Sequence, residues 1–92
     1  MQLPINYDDT HYTIHKLARE QYALEQDGLC CHCGELLSSP SKFLKSRPIN
    51  PKLFPSGMFQ YPVHLHHSRK TGLTIGAVHA HCNAVLWQYH GE

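Results

Sequence analysis

Two pairs of soft metal ligands, Cys30-x-x-Cys33 and His79-x-x-Cys82, restrict what this chain can become. Its 92 residues suggest one domain spanning 1–92, and so short a chain buries too little apolar surface to be comfortably stable without a staple. Tetrahedral zinc accepts a Cys3His set readily. Gly34 lets the turn after the first pair tighten. The 45 residues between the pairs (34–78) exceed the span in a compact zinc finger, but closure entropy grows slowly with loop length. Cys31 and His81 compete for these roles; Cys30 is preferred because Cys31-x-Cys33 is too tight for a knuckle. A disulfide among Cys30, Cys31 and Cys33 would be strained. With no charged-then-apolar leader and no apolar run near about eighteen residues, a soluble cytoplasmic protein without membrane contact is expected. In that compartment such cysteines serve as ligands more often than as bridges.

Charge is unevenly distributed. The formal net charge is only +1, yet between Leu36 and Gly91 stand six basic residues, Lys42, Lys45, Arg47, Lys52, Arg69 and Lys70, and no acidic one. A basic, acid-free and histidine-rich stretch suits a polyanion, of which nucleic acid is the usual one. A solvated positive face is the plainer reading, and the coincidence with the ligand cluster favours the former.

Along the chain, residues 1–12 read as an extended arm. Thr13 is placed to cap a helix over Ile14 to Gln26, in which Leu17, Tyr22 and Leu24 alternate with charged positions and Gly28 is the stop. Residues 38–62 hold Pro40, Pro48, Pro51, Pro55 and Pro62, which break helices and central strands. This long basic loop interleaves its cations with Phe43, Phe54, Phe59 and Tyr61, fitting either a path along a phosphate backbone or a wrap around a small core. Val63 to His67 reads as a strand, Arg69 to Thr74 as a turn, Ile75 to Val78 as a second strand, and a final helix opens near His81 to Asn83. A small α+β fold is expected, with strand, turn, strand and helix over 63–90.

The densest chemistry lies between His64 and Asn83. Neighbouring side chains on a strand point to opposite sides, so His66 can hold a metal while His67 handles a proton. Phosphodiester hydrolysis needs an activated water, charge stabilisation and a leaving 3′ oxygen; one cation held by His66 and Asn83 and one neutral imidazole, His67, meet those needs. A histidine needs no large pKa shift to act as a base near neutral pH. Asn83 is also a favoured helix cap. His64 and His90 are candidates for support of the metal or phosphate, whereas His11, His15 and His32 read as surface or hydrogen-bonded residues. Leu86 and Trp87 read as core.

The segments ALEQDGLCCHCGELL and VHLHHSRKTGLTIGAVHAHCNAVLW resemble HNH endonucleases of the ββα-metal, or His-Me finger, superfamily, with a zinc arrangement closest to the recombination endonuclease VII branch. The resemblance implies a ββα-metal, treble-clef-like nuclease fold with an N-terminal helix and a Pro-rich insertion. It implies His67 as general base, His66 and Asn83 as ligands of the catalytic cation, and Cys30, Cys33, His79 and Cys82 as ligands of a structural Zn2+. Two departures stand out: His66 replaces the usual aspartate, and His79 replaces a fourth cysteine. Without a carboxylate the catalytic cation is less defined, since Mg2+ prefers oxygen ligands while an imidazole also accepts Mn2+, Ni2+ or Zn2+.

The resulting expectation is a metal-dependent DNA endonuclease, nicking or cutting double-stranded DNA to leave a 5′ phosphate, with the basic residues as DNA contacts. A module this small makes few base contacts, so specificity would require a homodimer or an accessory phage protein; a phage or prophage setting suits the compact chain. The competing readings are a non-catalytic zinc module that binds nucleic acid and an interaction protein built on an HNH scaffold.

Overall fold

The computed structural model describes residues 1–91. Its elements run α1 (Tyr12–Glu25), two 3-10 turns at Pro51–Leu53 and Met58–Gln60, β1 (Val63–His67), β2 (Thr74–His79) and α2 (Ala80–His90). The strands form a two-stranded antiparallel sheet, which makes the protein a small α+β domain.

Helix α1 begins earlier than its sequence suggests. His11 is the N-cap, its side chain accepting from the Thr13 N–H, so Thr13 lies inside the first turn. The buried face is also different: Leu17 and Leu24 are 50% and 80% exposed, while Ala18 is fully buried. Ala18, Tyr22 and Gln26 recur at intervals of four, which places them on one helix face, and that face turns to the hairpin. The Tyr22 hydroxyl lies 2.9 Å from Thr74 Oγ1. The Gln26 amide meets Ala77 as a neighbouring strand would, donating to its carbonyl at 2.9 Å and accepting from its N–H at 2.9 Å. Asp27 and Gly28 then take left-handed backbone angles and reverse the chain into the Cys30–Cys33 turn, which is closed by a bridge between Leu29 and Leu36.

In the hairpin, Val63 pairs with His79, Leu65 with Ala77 and His66 with Gly76, and the register shifts between His66 and His67. Strand β1 has the expected bounds, while β2 extends one residue further at each end than Ile75 to Val78. Helix α2 starts at Ala80 with His79 as N-cap and ends at Gly91, whose left-handed conformation lets its N–H reach the Leu86 and Trp87 carbonyls. Asn83 is therefore the fourth residue of α2 and does not cap it. A core of Cys30, Leu37, Ala77, Val78 and Cys82 ties turn, sheet and helix together.

The arm is not free. Thr74 N–H donates to the Ile5 carbonyl at 2.9 Å and Tyr7 N–H to the Gly72 carbonyl at 2.7 Å, so residues 5–7 line up beside the start of β2. In the Pro-rich loop Phe54 packs edge-on against Trp87 at 5.4 Å and near Phe59 at 5.9 Å, while Phe59 and Tyr61 stay 40% and 67% exposed. Of the two readings of that segment, wrapping a small core describes Phe54, which is half-buried. Leu86 is buried as expected; Trp87 is half-buried, and its ring also lies under the Arg69 guanidinium at 5.2 Å.

Candidate metal centre and adjoining histidine cleft

Three elements deliver the four ligands of the first centre. The turn after α1 supplies Cys30 and Cys33, the last residue of β2 supplies His79, and the first turn of α2 supplies Cys82. Their ligand atoms all lie within 4.8 Å of one another. Cys30, His79 and Cys82 are buried and Cys33 is half-buried. Cys31 is exposed, and all four cysteines are free thiols; neither Cys31 nor His81 belongs to the cluster.

Hydrogen bonds around the cluster settle which atoms face inward. His79 Nε2 lies 2.8 Å from the Leu36 carbonyl, which can only accept, so Nε2 carries the proton and Nδ1 presents its lone pair. That lone pair sits 3.4 Å from Cys33 Sγ and 3.6 Å from Cys82 Sγ. A histidine whose second nitrogen is fixed by a carbonyl is the usual arrangement at zinc. Ser41 is buried, accepts from the Phe43 N–H at 3.1 Å and stands 3.1 Å from Cys82 Sγ. The backbone N–H groups of His32 and His79 each approach Cys30 Sγ at 3.4 Å.

These contacts decide the electrostatics. A hydrogen bond from Cys82 and the surrounding backbone N–H groups draw the Cys30 thiol down to about 4, against the burial that would raise it. Cys82 is pushed up by its hydrogen bond to Cys30 and by burial. Thiolates this close repel one another unless a cation lies between them. Three sulfurs and one correctly oriented imidazole, largely removed from solvent and backed by N–H and O–H donors, fit a structural zinc site.

The second group of residues borders a set of clefts on the other histidines. His66 is buried, in contrast to the exposed ligand a lone surface site would have. His66, His67 and Asn83 border one narrow cleft of about 120 Å³, with Met58, Arg69 and Trp87 completing it. No Asp or Glu is among the residues lining it. Strand alternation alone would separate His66 from His67; the register shift between them accompanies their sharing of this cleft. Asn83 also borders clefts of about 540 and 690 Å³, so all three share it in their walls.

Its orientation can be read from His64. His64 Nε2 lies 2.8 Å from the Met58 carbonyl and must donate to it, which leaves Nδ1 to accept from Asn83 Nδ2 at 3.2 Å. The Asn83 oxygen is then the amide's remaining acceptor, directed away from His64. Burial holds the His64 imidazole below its ordinary pKa, with the Arg19 charge adding to the effect. His64 thus positions Asn83, while His90 lines none of these clefts and packs against His32 with ring centroids 6.5 Å apart.

Sequence reasoning missed Tyr7. Its ring stacks on His67 at 3.8 Å and 4° on one face and on His15 at 3.9 Å and 9° on the other. His15 Nε2 donates to the Tyr7 carbonyl at 2.8 Å, so this histidine is a hydrogen-bonded structural residue. Burial lowers the His67 pKa, helped by Arg69 and His15 and opposed by Asp8. The basic residues divide similarly. Arg69 borders the narrow cleft and, with Lys70, a neighbouring one. Lys42, Lys45, Arg47 and Lys52 line none of the clefts that Asn83 borders, and the Arg47 guanidinium is taken up over the Phe43 ring at 4.7 Å. Lys16 and Arg19 of α1 line the cleft of about 690 Å³ instead. The signal available for them was their helical spacing from Tyr12, at i+4 and i+7.

Fold and centre together define a small α+β protein with a largely buried Cys3His cluster that fits a structural zinc ion. The chain matches no protein-family model, and no curated protein or solved structure is significantly similar to it. No described helix is long and apolar enough to cross a membrane.

Proposed function

We propose that the protein is a metal-dependent DNA endonuclease of the HNH type, its 63–90 segment a ββα-metal unit held by a structural zinc. One observation carries the reading: His66, His67 and Asn83, selected from the sequence for separate roles, border a single cleft with a cation, Arg69, beside them.

In this reading His67 is the general base. Its ring, stacked on Tyr7, is fixed in orientation, and a lowered pKa keeps it neutral and able to take a proton from water. Arg69 attracts the phosphate and can donate to its oxygens. His66 and the Asn83 oxygen would hold a divalent cation, and His64 keeps the Asn83 amide turned for that purpose. Mg2+ or Mn2+ would supply stabilisation of charge on the scissile phosphate and the leaving oxygen; an imidazole in place of a carboxylate also makes Ni2+ or Zn2+ suitable. DNA is the partner, and the cytoplasm of a bacterial host, with the protein encoded by a phage or prophage, is the setting of this proposal. Any base specificity would come from a homodimer or an accessory protein.

Supercoiled plasmid incubated with zinc-loaded protein and Mg2+ or Mn2+ tests this directly. Nicking is expected, and His67→Ala should abolish it while zinc content stays unchanged. A wild-type protein that shifts the plasmid on a gel yet leaves it intact with every cation would instead be a zinc-stabilised binding module.

A further inference from the structure

The cleft of about 690 Å³ between α1 and β1 has one wall, on α1, that neither the zinc cluster nor the proposed cleavage chemistry uses. Tyr12, His15, Lys16 and Arg19 fall at i, i+3, i+4 and i+7 on α1, which makes them one helical stripe, and all four line this cleft. Tyr61 faces them, and His67 and Asn83 belong to the same lining. Tyr12 and Tyr61 are 73% and 67% exposed: two large aromatic rings left in water beside two cations, with no carboxylate in the wall.

That combination has a recognisable chemistry. Cations track phosphates, and aromatic faces stack unpaired bases without regard to sequence. In a duplex the base faces are already covered by their neighbours, and recognition proceeds through groove edges and phosphates. The size agrees, because pockets of about 300–1,000 Å³ hold one small ligand, which corresponds to a short splayed segment of strand. The basic loop from Lys42 to Lys52, the alternative track for a duplex, does not reach these clefts.

We infer that this cleft receives single-stranded nucleic acid, with bases stacked on Tyr12 and Tyr61 and phosphates held by Lys16 and Arg19, so that unpaired strand is the preferred substrate. The substrate assignment rests on the nuclease reading; the binding assignment does not. Supercoiled plasmid is compatible with it, since negative supercoiling favours strand opening.

The test measures fluorescence anisotropy of labelled dT and rU 12-mers and of a 12-base-pair DNA duplex, using zinc-loaded protein without added divalent cation or chelator. Single strands should bind at least about tenfold more tightly than duplex, and the two sugars show which nucleic acid is preferred. Tyr12→Ala and Tyr61→Ala should each weaken single-strand binding by about tenfold, whereas Lys42→Ala should leave it unchanged. Both tyrosines are exposed, so these variants should fold, which zinc content and circular dichroism check. Duplex binding as tight as single-strand binding, or wild-type affinity in the folded double variant, overturns the inference. Cleavage of the same oligonucleotides with Mn2+ separates the two readings: selective binding without cleavage removes the nuclease and leaves this cleft, while cleavage favouring duplex removes the cleft's assignment and leaves the nuclease.

Discussion

At His79 one imidazole satisfies two demands, a proton donated to the Leu36 carbonyl and a lone pair aimed at the sulfurs. Ser41 has the same kind of outer role at Cys82, to which its hydroxyl can donate while its oxygen accepts from Phe43. Outer partners of this sort change metal affinity by about 10- to 100-fold. Ser41→Ala should therefore weaken zinc binding by about that factor in competition against a chelating dye while the protein still folds with excess zinc; unchanged affinity would mean the Ser41–Cys82 contact does nothing for the metal. The four ligands were legible in the sequence because three-residue spacing brings side chains to one point whatever lies between the pairs. Ser41 was not, since a serine in a proline-rich loop carries no pattern. Tyr7 was hidden for a related reason: its stack with His67 exists only after the arm has docked, 60 positions away in the chain. For Asn83 the sequence left open whether it capped α2, and the helix start at Ala80 answers that it does not.

At the scale of elements, the strand β1 could be bounded from sequence because alternation and Pro62 define it, whereas α1 could not be oriented. Its apolar residues Leu17 and Leu24 suggest one face, and Tyr22 and Gln26 win the other because their polar ends bond Thr74 and Ala77. Polar satisfaction, which leaves no periodic trace in hydropathy, decided the packing. The Cys30–Cys33 turn is pressed against β2 at Gly76. A Cβ there would stand 2.8 Å from Gln26 Oε1 and 2.9 Å from Cys31 Sγ. Gly76→Ala should thus force the turn away from the strand and cost about 1–3 kcal/mol, read as a lower urea midpoint of the zinc-loaded protein. Turning the Cys31 thiol aside would still leave its Cβ 3.0 Å from the new carbon, and Gln26 is held by three hydrogen bonds, two to Ala77 and one to the Leu29 carbonyl. A neutral result would show that Gln26 gives way without loss.

For the whole molecule, the metal cluster joins the turn after α1, the end of β2 and the start of α2, so three elements lose their common anchor if zinc leaves. Structural zinc contributes on the order of 10 kcal/mol to folding of small domains, about the entire stability of a typical one. Chelation should abolish the cooperative unfolding transition and restore it on zinc addition; a chelated protein with native circular dichroism would show that the apolar core suffices. A second dependence is superimposed on this one. His64, His67 and His81 all have pKa values lowered mainly by burial, so the unfolded chain takes up protons near pH 6.5 before the folded one does. Their stabilisation is complete above about 6.5 and is lost as pH falls through the lower folded values. Zinc ligands also compete with protons in that range, so the two effects must be separated. His64→Gln does so, because it leaves the cluster intact and removes one half-buried titrating ring while keeping an amide beside Asn83. Its unfolding free energy, measured in excess zinc between pH 7.5 and 5.5, should decline less steeply than that of the wild type. Equal slopes would assign the acid sensitivity to the zinc ligands and the other histidines, with the His64 imidazole charging as easily in the folded protein as in the unfolded chain.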